Sequence, residues 1–199
     1  YFLATASDLS RDIDQSKNSD TTLRALFITL SYLKGDYGAI HAPGKKILLY
    51  NRERGHNTVH ANFNVFFILA ATLKDTVKVR KGWIRKWKRK LEIWAQTAPE
   101  NYGPLNKTLD GLIQEKWGSK VKAGEAYRTA YNLALTGNNP LTLGIVAEEY
   151  GRYLYESIGE HTLGERILRE AFDSFGAWKA AAKQEQLRDR YPDVYFTTQ

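Results

Sequence analysis

The stretch LTLGIVAEEYGRYLYESIGEHTLGERILREAFDSFGAWKAAAKQEQLRDRY, residues 141–191, divides into two periodic runs and a third that closes them. In the first run Leu141, Ile145, Glu148, Tyr150, Tyr153, Leu154 and Ile158 recur at helical spacing, which lays an apolar and aromatic stripe along one side of an otherwise polar helix. Gly159 stops it. In the second run Leu163, Ile167, Leu168, Ala171, Phe172 and Phe175 repeat the pattern, and Gly164 stands opposite Gly151, where two helix backbones could approach closely. A helix pair of this kind cannot bury its apolar face alone, so another pair has to stack on it.

The same layout recurs upstream. Gly164 lies five residues after Gly159, Ile167 eight and Ala171 twelve; counted from Gly118, Ala123 lies at five, Tyr127 at nine and Ala130 at twelve. A looser third copy begins at Gly35, in GDYGAI, with one position missing after Gly38. Glycine at the turn, then a small residue one turn into the second helix and another two turns later, resembles tetratricopeptide-like (TPR-like) helical repeats.

The runs WAQTAPENYG (94–103), AEEYGRYLYESIGEHTLGERILREAFDSFGAW (147–178) and AAAKQEQLRDRYP (180–192) are moreover similar to the helical-repeat region of large hybrid signalling kinases. In those serine/threonine and histidine kinases such a region follows a kinase-like and an ATPase module and precedes sensor and histidine-kinase modules. The similarity covers residues 62–192 well and the first sixty loosely, and it departs at Lys179, where the family has glycine after the tryptophan. It implies no catalytic residue. The expected fold is all-α, a right-handed solenoid of antiparallel helix hairpins with a C-terminal capping helix. Residues 1–57 would be divergent helices and a first hairpin, 58–192 the TPR-like repeats with their cap, and 193–199 a loose tail apart from Tyr195 and Phe196.

Composition agrees with a folded chain. Of 199 residues 43 % are hydrophobic, yet no apolar run has the length needed to span a bilayer. Without cysteine or a secretory leader the expected setting is cytoplasmic, and the lack of any methionine suggests a piece of a longer chain. A net charge of +7 favours acidic partners but is well short of a nucleic-acid arm.

Within the first sixty residues, Leu23, Leu26, Phe27, Leu30 and Leu33 mark a helix, and Pro43 with Gly44 predicts irregularity in the next. Residues 58–73, with Phe63, Phe66 and Phe67, are apolar all round and should form the most buried helix. A basic stretch follows, with Lys78, Arg80, Lys81, Arg85, Lys86, Lys88, Arg89 and Lys90 on one side and Trp83, Trp87, Leu91 and Trp94 on the other. In 119–135 the inward set is read as Val121, Ala126, Tyr127, Ala130 and Leu133.

Signatures of chemistry are missing: there is no phosphate loop, no GxGxxG, no HExxH and no cysteine site. Asp8, Asp12 and Asp14 could chelate a cation but no second acidic cluster answers them, which leaves a solvated helix face; His56 and His60 have metal-ligand spacing but no nearby acidic third ligand, which leaves His60 as a capping or packing group and His56 in water. His41 has Lys45 and Lys46 near it, but a phosphoacceptor role would need a regular bundle helix and Pro43 speaks against it; His161 at a helix start reads as a cap. No catalytic residue, metal or cofactor is expected.

The function expected is recognition: a non-catalytic regulatory module that docks a protein or peptide, including other domains of the same chain, in a groove lined by 58–73, 105–117 and 141–158. Asn62, Lys107, Gln114, Glu149 and Arg152 are the candidate exposed contacts. The competing expectation is an all-α enzyme, or a protein whose basic helix 78–90 holds phosphate, nucleic acid or an acidic surface.

Overall fold

In the computed structural model, residues 21–54, 59–75 and 79–196 are described. Among them there are nine helices and no strand, so the fold is all-α. The helices are α1 (Thr21–Leu33), α2 (His41–Arg54), α3 (Val59–Lys74), α4 (Lys81–Thr97), α5 (Pro99–Trp117), α6 (Lys120–Thr136), α7 (Pro140–Arg152), α8 (His161–Ala177) and α9 (Ala181–Arg190). A 3-10 turn (Gly38–Ile40) precedes α2, and a π segment (Tyr153–Ile158) extends α7. The chain divides into two units, Tyr1–Leu91 and Glu92–Gln199, and the division lies inside α4. The domain boundary expected at 57/58 falls outside the described residues.

In the first unit α1, α2 and α3 pack on one another. The side chains of α3 from Asn64 to Leu73 are all buried, as its apolar sequence requires. Tyr32 of α1 meets the rings of Phe67 at 4.9 Å and Phe66 at 5.9 Å. The irregularity expected around Pro43 does not arise, because α2 begins at His41 and the proline sits in the first turn, where its missing N–H costs nothing. At α1 the buried apolar set is Ala25, Phe27, Ile28, Tyr32 and Leu33, while Leu23 and Leu26 are exposed.

In the second unit α5 packs on α6 and α7 packs on α8; α7 also rests on α5 and α6, and α9 rests on α8. The positions at matching distances from Gly118 and Gly159 are covered: Ala123, Tyr127 and Ala130 of α6, and Gly164, Ile167 and Ala171 of α8, are all buried. Tyr127, Ala130 and Ala134 continue the line at steps of four, three and four from Ala123, whereas Val121 and Leu133 fall off it and are exposed, correcting the inward set read from sequence.

Close backbone approach is real, but the two glycines do not face each other. A Cβ on Gly151 would come within 2.8 Å of Leu168, and one on Gly164 within 2.9 Å of the Tyr155 backbone. Gly159 is left-handed, at φ 83°, and ends the π segment as a C-cap; Gly118 turns at negative φ. The bend after α8 forms although glycine is missing there: Lys179 adopts φ 60°. The tail is tied down as far as it is described, since Val194 is buried and Phe196 stacks on Phe172 with ring centres 4.8 Å apart.

Candidate functional site

Glu148 lies on the apolar stripe of α7, and a charge on a buried stripe has to be paired. Lys183 of α9 supplies the partner, with Nζ 2.8 Å from Glu148 Oε1 and 2.7 Å from Gln186 Oε1. The next residue, Glu149, is only 1 % exposed and accepts from Arg152 Nε at 3.2 Å.

Arg152 is the hub of the larger cluster. Its Nη1 donates to Glu115 Oε1 of α5 at 3.0 Å while Nη2 donates to Glu115 Oε2, a two-pronged pairing that fits a planar guanidinium to a carboxylate. Glu115 also accepts from Tyr127 Oη of α6 at 2.8 Å and from Ser157 Oγ at 2.7 Å. Ser157 follows Arg152 by five residues, and the i→i+5 turn of the π segment returns it to the same carboxylate oxygen. That turn also carries Ile158 off the apolar stripe, and Ile158 is exposed. Beside the cluster, Lys120 Nζ donates to the Ser157 carbonyl at 2.9 Å, and the Tyr127 and Tyr153 rings lie 5.1 Å apart.

The electrostatics are those of a closed network. Burial pushes the Glu115 carboxyl up, but hydrogen bonding and charge from Arg152, with Ser157 and Tyr127, outweigh it and hold the group below its ordinary range. Burial likewise works against the Arg152 cation, yet Glu149 and Glu115 outweigh it and the guanidinium stays charged. Burial, together with the two carboxylates against the opposing pull of Arg152, keeps the Tyr127 phenol protonated. One carboxylate therefore joins α5, α6, α7 and the π segment. Each of its two oxygens accepts from two side chains, Arg152 and Ser157 at Oε1, Arg152 and Tyr127 at Oε2, so the cluster ties helices together.

Compared with known families, curated proteins and solved structures, the chain matches none. Its chemistry has to be read from its own residues.

The expected groove contacts separate on this structure. Glu149 and Arg152 are not exposed contacts, because the Glu115 cluster consumes both. More broadly, α7 has no exposed side chain from Leu141 to Arg152: the expected polar side of this helix is covered, and only Leu141, Leu143 and Arg152 are even half-buried. Lys107 on α5 is half-exposed and pairs with Asp110 at 3.5 Å, and Gln114 accepts from the Ser119 N–H at 3.4 Å in the turn to α6. The side chain of Asn62 lies outside those described, as do those of His56 and His60 and the whole Asp8 to Asp14 run.

The basic helix keeps its two sides. Ile84, Trp87 and Leu91 of α4 are buried, while Arg80, Lys81, Arg85, Lys86 and Arg89 are exposed. Two cations depart from the expectation: Lys88 is buried, and Lys90 is half-buried with Nζ 4.5 Å from the centre of the Trp87 ring. Trp83 and Trp94 are half-buried, Trp94 against Tyr102 at 6.1 Å, and Lys78 lies outside the described residues. His41 Nε2 meets Asp75 Oδ2 at 2.6 Å in the first unit, and His161 stands edge-on to Tyr155 at 4.6 Å.

Among the described residues no three His, Asp or Glu side chains gather where one metal ion could be held, and no helix is long and apolar enough to cross a membrane.

Proposed function

We propose that this chain is a non-catalytic helical-repeat module, in which the pairs α5/α6 and α7/α8 are successive hairpins of a right-handed, TPR-like solenoid and α9 is its cap. The observation that carries the reading is the recurrence of buried small residues at the same distance from each turn glycine, Ala123 and Ala130 after Gly118, Gly164 and Ala171 after Gly159. A second support is that the charged groups of the Glu115–Arg152 and Glu148–Lys183 clusters are spent on one another.

The function follows from such a scaffold: it holds a peptide or a neighbouring domain, and the resemblance of residues 147–178 to hybrid-kinase repeats makes regulation of a signalling protein its setting. With Glu149 and Arg152 consumed internally and Asn62 outside the described side chains, Lys107 and Gln114 on α5 are the described candidates that can meet a partner. Selection from a displayed peptide library tests this. The expected result is one peptide family bound with little salt dependence, weakened severalfold by Lys107→Glu and untouched by Arg85→Gln. Failure to select any peptide, or binding indifferent to Lys107, would contradict it.

A further inference from the structure

Residues 76–91 contain no acid, and the first on α4 is Glu92. Arg80, Arg85, Lys86 and Arg89 are exposed, and none of the four has a carboxylate partner among the described residues. Arg85 and Arg89 stand about 6 Å apart along one line of the helix with Lys86 beside them, and Arg80 lies just before the first turn. Like charges at this spacing repel, and cations in the first turn oppose the helix dipole, so the arrangement is unfavourable for the helix by itself. Burial of Ile84, Trp87 and Leu91 nevertheless fixes the orientation of the face. Gly82 leaves the first turn low among the cations, with open space where its Cβ would be.

We propose that this row is a docking surface for the phosphate backbone of double-stranded nucleic acid, bound without sequence preference. Three features choose this occupant. A row of unpaired cations with arginine in the majority suits a repeating array of phosphates. No exposed aromatic accompanies it, since Trp87 is buried beneath Lys90 and Trp83 is half-buried, so there is no platform for unstacked bases. No large apolar side chain is exposed between Arg80 and Arg89 to enter a bilayer; the exposed Ile93 lies beyond the last cation.

Fluorescence anisotropy of the whole chain with a short labelled DNA duplex tests the proposal. With three phosphate contacts, from Arg85, Lys86 and Arg89, affinity should fall roughly fortyfold between about 50 and about 200 mM salt. Arg85→Glu with Arg89→Glu should weaken binding at least about tenfold with the circular dichroism unchanged, and the milder pair Arg85→Gln with Arg89→Gln should weaken it less, in the same direction. Absence of duplex binding at the lower salt, equal affinity of these variants, tighter binding of a single strand, or binding only to phosphatidylserine vesicles or to a polyglutamate peptide would each overturn it.

Discussion

Arg152 and Arg85 carry the same guanidinium and are treated in opposite ways. Arg152 is enclosed between helices with Glu115 and Glu149 on its donors, whereas Arg85 stands in solvent beside Lys86 and near Arg89 with no carboxylate partner among the described residues. Enclosure makes the first charge part of the structure, because removing either partner strands the other in a medium that cannot solvate it. Exposure leaves the second available, since water and salt screen it until an anion arrives. The same chemical group is thus a tie in α7 and an open contact in α4.

The contrast is sharpest in substitution. Arg152→Ala leaves two carboxylates without their cation and should cost about 3 to 5 kcal/mol in urea unfolding; a loss below about 1 kcal/mol would place the guanidinium in solvent after all. Overfilling the same interface is expected to cost less. A Cβ at Gly111 would come within 2.6 Å of the Tyr127 ring, whose hydroxyl serves Glu115, so Gly111→Ala should lower stability by about 1 to 3 kcal/mol.

Acid probes the cluster without a mutation. The folded value of Glu115 lies below its ordinary 4.5, so its contribution is fully present above that pH and is lost as pH falls from 4.5 through the folded value. The urea midpoint should therefore fall below pH 4.5, and Glu115→Gln should flatten that fall; an identical acid limb in the variant would remove Glu115 from the account. Lys179→Gly should raise stability by about 0.5 to 1 kcal/mol, because a left-handed φ of 60° burdens a side chain and not a glycine. At the small end, Arg85→Gln should change stability by less than about 0.5 kcal/mol while it weakens duplex binding.

How far the residues disclosed this in advance depends on the kind of signal. Periodicity was enough for α3 and for the face of α8, because apolar residues three and four apart have one place to go, whereas in α6 it placed Tyr127 and Ala130 but misassigned Val121 and Leu133. It misjudged α7, whose charged residues look like a solvated side until Lys183 and Glu115 are seen to cover them. Sequence separation hides such pairing: Glu115 and Arg152 are 37 residues apart, and nothing local distinguishes their charges from those of Arg85 or Lys86. One local clue existed, since Glu148 falls on the buried stripe and demands a cation. The π segment left no comparable mark, so the return of Ser157 to Glu115 could not be read from spacing based on α-helical turns. Exposure of Leu23 and Leu26 in α1 has a related cause, a face set by the aromatic contacts of Tyr32 with Phe66 and Phe67.

A double-mutant cycle between Glu115 and Arg152, using Glu115→Ala, Arg152→Ala and the pair, asks most directly whether buried charge binds the two helix pairs into one body. A coupling of about 1.5 to 3 kcal/mol, with a single unfolding transition in the wild type, is the predicted result. Additive losses, or separate transitions for α5/α6 and α7/α8, would contradict the account.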